Sequence, residues 1–414
     1  MKLPAGSPIR ARIPSARRAA PATQASASAS ASTSTSTSTP RGRIAALALA
    51  VLTLPLSLAV SACNSDSKST DSDQYSGPGA VRWVGRVDTT DPEAPKFSWS
   101  GSGFVAKVAG KNISLKIKTQ GGGDDVYLQP VIDGTPAERV VAPYGDNTIV
   151  VGANLASGDH VIELYRENEG KLGTSVFGGF VEGTLKNPPP APERRIEIVG
   201  DSISAGYGNL GEEQHPNSGA DPSGGCHFST KTESAYRTYG AMAAREVNAE
   251  WSIVAASGWG VYRDNLGGQK NVLPLVYANT LGVPPTTEWT FDPKPQVVVI
   301  NLGTNDFATG DLGQAEFQGA YSAFLATVRQ KNPDAYIFCM IGPLLYGTGL
   351  TSATTYINAA VDEAKAAGDT KIQVLDVGQQ DATKGTGCDW HPSLAEHTRM
   401  SGLLVTAIHD AVGW

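Results

Sequence analysis

The pattern of apolar and polar positions changes character at about residue 190. Between residues 80 and 185, short segments in which apolar and polar residues alternate are separated by turns rich in glycine and aspartate, with almost no helical periodicity. This spacing predicts an all-β, antiparallel sandwich of about eight strands with a jelly-roll-like arrangement. The predicted strands cover 81–87, 97–108, 112–119, 125–133, 139–142, 148–151, 160–166 and 176–183.

After a proline-rich linker at 186–194, compact apolar runs alternate with helical stretches. The runs are typical of strands that are buried on both faces, at 196–199, 252–256, 296–301, 335–341 and 372–376. The helical stretches are at about 234–247, 314–330, 354–366 and 393–412. Strands that alternate with helices predict an α/β domain over 195–414, built on a parallel sheet covered on both sides.

The first 63 residues are predicted to be an export signal with a low-complexity leader. Residues 1–62 contain seven Lys or Arg and no acidic residue, and 44–60 is almost wholly apolar. The small residues before Cys63 resemble a bacterial lipobox, which implies a lipidated Cys63 and a protein of the bacterial cell envelope. An ordinary secretory signal or an uncleaved anchor is the alternative. Residues 64–79 are polar and are predicted to be a flexible tether.

The charge of the chain bears on its partners. The net charge is −7, and removal of the leader would make it more negative. We therefore expect no nucleic-acid partner, and contact with a membrane only through the N-terminal lipid. The sequence does not indicate an oligomeric state.

Residues with chemical roles follow three predicted strands of the second domain. Ser202 lies in Gly200-Asp201-Ser202, Gly258 in a glycine-rich loop, and Asn305 in Gly303-Thr304-Asn305-Asp306. Because the carboxyl ends of parallel strands meet at one edge of a sheet, we expect these residues to converge. Ser202 is the predicted nucleophile. The predicted oxyanion donors are the backbone N–H groups of Ser202 and Gly258 and the side-chain amide of Asn305.

A general base for Ser202 is expected in the loop before the last helix. His391 lies there, and the carboxylate of Asp389 is predicted to orient it. This combination predicts ester hydrolysis through an acyl-enzyme, without a metal or an organic cofactor. Trp259, Trp390 and Tyr207 lie in loops beside these residues and are candidates to stack against sugar rings, whereas core packing is the usual role of tryptophan.

Two cysteines lie in glycine-rich loops near the predicted site. We predict that Cys226 and Cys388 form a disulfide, as an exported protein permits. A zinc site that uses these cysteines with His227 and His391 is the alternative. The chain has no CxxC or HxxxH spacing to support it, so no metal is predicted.

The motifs around Ser202, Gly258 and Asn305 resemble the first three motif blocks of the SGNH (GDSL) hydrolase superfamily, and His391 matches the histidine of its last block; the resemblance covers about 195–414. Within it, the preceding β-sandwich with Trp83-Val84-Gly85-Arg86 and the segments 257–263 and 387–393 resemble carbohydrate esterase family 2. This resemblance implies deacetylation of plant cell-wall polysaccharides such as acetylated xylan or glucomannan. Esterases of lipids, thioesters or bacterial cell-wall acetyl groups remain alternatives, as does a carbohydrate-binding surface lipoprotein.

One position departs from the superfamily pattern. The superfamily usually places aspartate three residues before the histidine, but here that position is Cys388, and Asp389 is two residues before His391. The resemblance also implies an alternative to the triad, in which a Ser-His pair is assisted by a backbone carbonyl.

Overall fold

The computed structural model describes residues 81–211 and 226–414. The predicted export signal, the lipidation at Cys63 and the tether lie outside these residues. In the described ranges, no helix is long and apolar enough to cross a membrane.

The first domain is an antiparallel β structure, as predicted. Its strands are β1 (Arg82–Val84), β2 (Lys96–Phe97), β3 (Gly103–Gln120), β4 (Val126–Ile132), β5 (Thr135–Pro136), β6 (Val140–Ala142), β7 (Gly145–Gly152), β8 (Asp159–Arg166) and β9 (Thr174–Lys186). They pair in the order β2-β9-β3-β8-β4-β5, while β1 and β7 also pair with β3, and β6 with β4. The jelly-roll arrangement stays a prediction.

One long strand organises this domain. The two strands predicted at 97–108 and 112–119 are largely a single strand, β3, of 18 residues. Its first half pairs with β8 and its second half with β7, whereas β9 follows it along most of its length with register shifts. The change of partner explains why the sequence shows a break near Gly110, where the backbone φ is 149°.

The second domain contains a parallel sheet of five strands within the described residues. The strands are β10 (Arg194–Gly200), β11 (Ala249–Ala255), β12 (Val297–Asn301), β13 (Tyr336–Ile341) and β14 (Ile372–Asp376), in the order β11-β10-β12-β13-β14. The helices are α1 (Ser202–Ala205), α2 (Tyr239–Glu246), α3 (Gln314–Lys331), α4 (Gly347–Ala366) and α5 (Leu394–Val412). The chain crosses β10 to reach β12, so the strand order reverses beside the end of β10. Ligand sites of such sheets lie at this point.

Alternate residues of the strands explain why helices cover both faces of the sheet. Ile198 and Val299 belong to an apolar cluster with α2 and α5, whereas their neighbours Val199 and Val298 belong to a cluster with α3 and α4. Because successive side chains of a strand point to opposite faces, a continuous apolar run produces two cores. The predicted parallel sheet with helices on both sides is thus confirmed.

Two of the predicted helices begin at other residues. Helix α4 begins at Gly347, before the predicted start at about 354, and α2 begins later than predicted. The stretch predicted as a helix at 234–247 is a short 3-10 turn at Ala235–Arg237 followed by α2. The helix starts later because Thr238 caps it, and its side chain accepts a hydrogen bond from the Ala241 N–H.

A buried ion pair joins the two domains. Arg86 follows β1, and its guanidinium donates to Glu197 Oε2 on β10 over 2.9 Å and to the carbonyl of Asn279 over 3.0 Å. The hydroxyl of Tyr277 donates to the other oxygen of Glu197 over 2.6 Å. Both charged side chains are almost fully buried. Each charge therefore depends on the other for compensation.

We predict that Glu197→Ala lowers the free energy of unfolding by about 3–5 kcal/mol, because it leaves the guanidinium of Arg86 buried without its carboxylate. Chemical denaturation of the purified protein measures this. Lys384→Ala is the control. The ion pair between Lys384 and Asp381 is largely exposed, so this substitution should leave the free energy of unfolding unchanged. Equal stability of the two variants would contradict the prediction.

Candidate active site

Ser202 lies at the carboxyl end of the central strand. It begins α1 directly after β10, and Asp201 caps this short helix by accepting a hydrogen bond from the Ile203 N–H over 3.0 Å. The turn requires a glycine before it, since a Cβ on Gly200 would lie 2.1 Å from Ser204 Oγ. The tight strand-to-helix turn therefore fixes Ser202 at the edge where β10, β11 and β12 end.

His391 contacts this serine. Its Nε2 lies 2.8 Å from Ser202 Oγ, and its Nδ1 lies 3.1 Å from the backbone oxygen of Asp389. Because a carbonyl only accepts hydrogen bonds, Nδ1 must carry the proton, which leaves Nε2 of a neutral imidazole to accept from the hydroxyl of Ser202. Burial lowers the pKa of His391 to about 4, so the ring is neutral at pH 7.

The prediction that the carboxylate of Asp389 orients His391 was wrong. Its Oδ2 accepts from the hydroxyl of Tyr207 and from the backbone N–H of Phe228, each over 2.9 Å. Its Oδ1 lies 2.9 Å from Nδ1 of His227. The carboxylate is thus engaged by a neighbouring loop, and the backbone carbonyl of the same residue contacts His391, as in the alternative that the family resemblance implied.

The local backbone explains why the carboxylate turns away from the histidine. Asp389 and Trp390 have φ values of 49° and 59°, in the left-handed region that costs a non-glycine residue about 1–3 kcal/mol. Two hydrogen bonds to acceptors outside the turn stabilise this conformation. The N–H of Cys388 donates to the Gly208 carbonyl, and the N–H of Asp389 donates to the Cys226 carbonyl. The conformation points the carbonyl of Asp389 toward the ring and its side chain toward residues 227 and 228.

A disulfide bond links Cys226 and Cys388, across 162 positions of sequence. The two sulfur atoms that the zinc alternative required are therefore bonded to each other. Within residues 81–211 and 226–414, no cluster of three or more His, Cys, Asp or Glu side chains is arranged to hold a metal ion. The disulfide connects the histidine loop to the segment that binds the carboxylate of Asp389.

Two backbone donors are available beside Ser202. In the part of the chain that the structure describes, the N–H groups of Ser202 and Gly258 donate to no acceptor. Gly258 has a φ of 85° in a turn closed by the hydrogen bond from Trp259 N–H to the Ala256 carbonyl, over 3.2 Å. Such a φ at the third position of a turn favours glycine.

Asn305 joins the two loops that carry these donors. Its Nδ2 donates to the Trp259 carbonyl over 2.9 Å and lies 3.3 Å from Asp201 Oδ2. The amide is therefore engaged with protein acceptors, and its role as a third oxyanion donor stays a prediction. Burial raises the pKa of Asp201 to about 7.

Asp306 fastens the neighbouring loop. Its carboxylate accepts hydrogen bonds from the backbone N–H groups of Val261, Tyr262 and Arg263, over 2.8–3.1 Å. Asp201 and Asp306 thus each hold a turn or loop of the site by accepting backbone hydrogen bonds.

The three aromatic residues predicted to bind sugar have different surroundings. Tyr207 packs on His391, with 4.2 Å between ring centroids, and on Phe228. It therefore supports the histidine and the carboxylate of Asp389. Trp259 is partly buried against the core between the sheet and the helices α3 and α4. Trp390 is 47% exposed next to His391, which leaves its ring accessible to a ligand.

Comparisons with known proteins follow the same two-domain division. Residues 83–192 match the family model described as carbohydrate esterase 2 N-terminal, and residues 198–400 match the GDSL-like lipase/acylhydrolase family. A solved family two carbohydrate esterase from Clostridium thermocellum, in complex with cellohexaose, has 35% identity and a TM-score of 0.76, and the match covers 81% of this chain and 100% of that chain. The chain belongs to carbohydrate esterase family 2.

Two curated relatives extend this comparison. The cellulase/esterase CelE of Acetivibrio thermocellus is 37% identical over 343 residues, which are 81% of this chain and 40% of that protein. The chain thus spans less than half the length of that relative. An acetylxylan esterase/glucomannan deacetylase of Cellvibrio japonicus is 28% identical over 341 residues, which are 78% of this chain and 87% of that protein. These relatives are carbohydrate esterases, the class of enzyme that the family resemblance implied.

Some residues of this family 2 site were not identified from the sequence. His227 and Phe228 bind the carboxylate of Asp389, and Glu169 of the β domain accepts a hydrogen bond from the Ser257 N–H over 2.8 Å. No local signal marks them, because their partners lie between 88 and 162 positions away.

We predict that Asp389→Asn lowers kcat/KM for an aryl acetate by less than about tenfold, because the backbone carbonyl that contacts His391 remains. His391→Ala and Ser202→Ala should each lose about 10⁴-fold or more. Steady-state kinetics with thermal unfolding of each variant measure these effects. A loss of about 10⁴-fold in folded Asp389→Asn would show that the carboxylate is needed to orient the histidine.

Proposed function

We propose that this chain is a serine esterase that removes O-acetyl groups from plant cell-wall polysaccharide, such as acetylated xylan or glucomannan. The observation that carries the proposal is the contact of 2.8 Å between His391 Nε2 and Ser202 Oγ, beside the backbone N–H groups of Ser202 and Gly258. A nucleophile, its base and donors for a developing oxyanion thus lie together at one edge of the sheet.

The first half of the reaction forms an acetyl-enzyme. His391 Nε2 takes the proton of Ser202 as Oγ bonds to the acetyl carbonyl carbon, and the carbonyl electron pair moves onto oxygen. The N–H groups of Ser202 and Gly258 donate to this oxyanion. When the intermediate collapses, the bond to the sugar oxygen breaks, and His391 returns the proton to that oxygen.

The second half releases acetate. A water molecule gives a proton to His391 and attacks the acetyl carbon, and collapse of the second tetrahedral intermediate breaks the bond to Ser202 Oγ. The proton then returns to Ser202. Throughout the cycle, the Asp389 carbonyl accepts from Nδ1 of His391 and keeps Nε2 directed at the serine. No step requires a metal or an organic cofactor.

Three features support an acetylated polysaccharide as the substrate. The Cellvibrio relative bears the name of an acetylxylan esterase and glucomannan deacetylase, and the Clostridium structure contains cellohexaose. The ring of Trp390 is accessible beside His391, and an exposed tryptophan offers an apolar face against which a sugar ring packs.

The export signal and the lipid on Cys63 belong to the same proposal. The disulfide between Cys226 and Cys388 supports an exported location, because such bonds persist in oxidising compartments. We propose that the enzyme acts at the bacterial cell envelope, where it meets polymers too large to enter the cell.

The test is acetate release by the protein from acetylated xylan and from acetylated glucomannan, beside an aryl acetate, with Ser202→Ala as the control. We expect release from the polymers that the Ser202→Ala variant lacks. This substitution removes a single oxygen and leaves the fold intact, so the loss would report chemistry rather than unfolding.

The other outcomes separate the alternatives. Turnover of the aryl acetate alone would support the esterase mechanism but indicate a different natural substrate: a lipid ester, a thioester or a bacterial cell-wall acetyl ester. Binding of polysaccharide without turnover of any ester would favour a carbohydrate-binding lipoprotein.

A further inference from the structure

The last residue of β8 and the connection that follows it to β9 bury several successive polar and charged side chains. Arg166, Glu167 and Asn168 are fully buried, and Glu169 is 1% exposed. Charged side chains are almost never fully buried unless each has a partner. The partners of these residues therefore show what the segment does. We call residues 166–173 the bridging loop.

Arg166 fixes the shape of the bridging loop from within the β domain. Its guanidinium donates to the carbonyls of Asn168, Glu169 and Gly173 and to Ser175 Oγ, over 2.8–3.2 Å. One rigid, planar cation thus binds the loop at several points.

Glu167 attaches the loop to the second domain. Its carboxylate accepts from Ser234 Oγ over 2.9 Å and from the Tyr236 N–H over 3.0 Å. These contacts lie just before α2 and do not touch the turn that contains Gly258. They serve as a docking contact between the domains.

Glu169 contacts the turn that contains Gly258, from Ala256 to Trp259. Its Oε2 accepts from the Ser257 N–H over 2.8 Å. On the other side of Gly258, the carbonyl of that glycine accepts from the Asn265 N–H over 2.8 Å. The peptide that carries the Gly258 N–H is therefore held by an anchor on each side.

That peptide needs such anchors. The turn from Ala256 to Trp259, with glycine at a φ of 85° in the third position, is of type II. Types I and II differ by a flip of the central peptide, and glycine tolerates both. In this turn the central peptide joins Ser257 to Gly258, so a flip would replace the N–H donor with a carbonyl oxygen that repels an oxyanion.

The charge of Glu169 is balanced close to the site. Nζ of Lys171 lies 3.1 Å from Glu169 Oε1. An unbalanced anion beside the turn would oppose the negative charge that develops on the substrate oxygen. The lysine thus lets a carboxylate anchor the turn without adding net negative charge.

We propose that Glu169, contributed by the β domain, is a positioning residue that holds the Gly258 N–H toward the oxyanion. This inference rests on the proposed esterase function. It also gives the β domain a part in catalysis, because the residue that orients the donor belongs to the bridging loop and not to the hydrolase domain.

The experiment compares Glu169→Ala, Glu169→Gln and the matched control Glu167→Ala in the full chain. We measure kcat and KM for an aryl acetate, the affinity for a boronic acid that forms a tetrahedral adduct with Ser202, and thermal unfolding. Glu169→Ala should lower kcat by about 10-fold to 100-fold with little change in KM, and should weaken boronate binding by a similar factor.

The other two variants separate positioning from a general loss of structure. Glu169→Gln keeps an oxygen that accepts from Ser257, so it should recover most of kcat and of boronate affinity. Glu167→Ala should lower the unfolding temperature but leave kcat and the affinity for the boronic acid at the level of the original chain. Equal losses in Glu167→Ala and Glu169→Ala, or an unchanged kcat in Glu169→Ala, would overturn the inference. Absence of turnover in the original chain would instead refute the proposed function.

Discussion

The hydrogen bond between His391 Nδ1 and the backbone carbonyl of Asp389 is the contact on which the site depends. It selects the tautomer in which Nε2 accepts from Ser202, and it does so with a neutral group. A carboxylate in that place would stabilise the protonated ring. A carbonyl does so much less, so burial dominates and the imidazole stays neutral. The backbone must adopt a left-handed conformation at Asp389 to present this carbonyl, and the disulfide at Cys388 together with Tyr207 holds that conformation.

The two domains form one catalytic unit. The ion pair between Arg86 and Glu197 fastens the β domain to the central strand of the sheet, and the bridging loop brings Glu169 to the Ser257 N–H. Buried ionic contacts of this kind contribute little net stability compared with apolar packing, but they are demanding in geometry. At the domain interface, such contacts fix the position of the β domain relative to the sheet, and thereby the position of Glu169 at the turn that contains Gly258.

Local patterns predicted much of this structure. The apolar runs located the five parallel strands of the described residues. The order of Ser202, Gly258, Asn305 and His391 located the site, because strand ends of a parallel sheet converge irrespective of loop details. The direction of the Asp389 side chain was not predictable, since it depends on two successive left-handed residues and on partners more than 160 positions away. The contacts between the domains were not predictable for the same reason, because the sequence around a buried charged residue does not identify its distant partner.

The pH dependence of kcat/KM for an aryl acetate tests the central claim most directly, because its acid limb reports the ionisation of the base in the free enzyme. The neutral imidazole is the active form, and its pKa is lowered from 6.5 to about 4 in the folded protein. We therefore expect activity to persist as the pH falls through 6.5 and to decline only well below it. An acid limb centred at or above 6.5 would contradict the account, because it would show a histidine stabilised in its charged form, as an orienting carboxylate would cause.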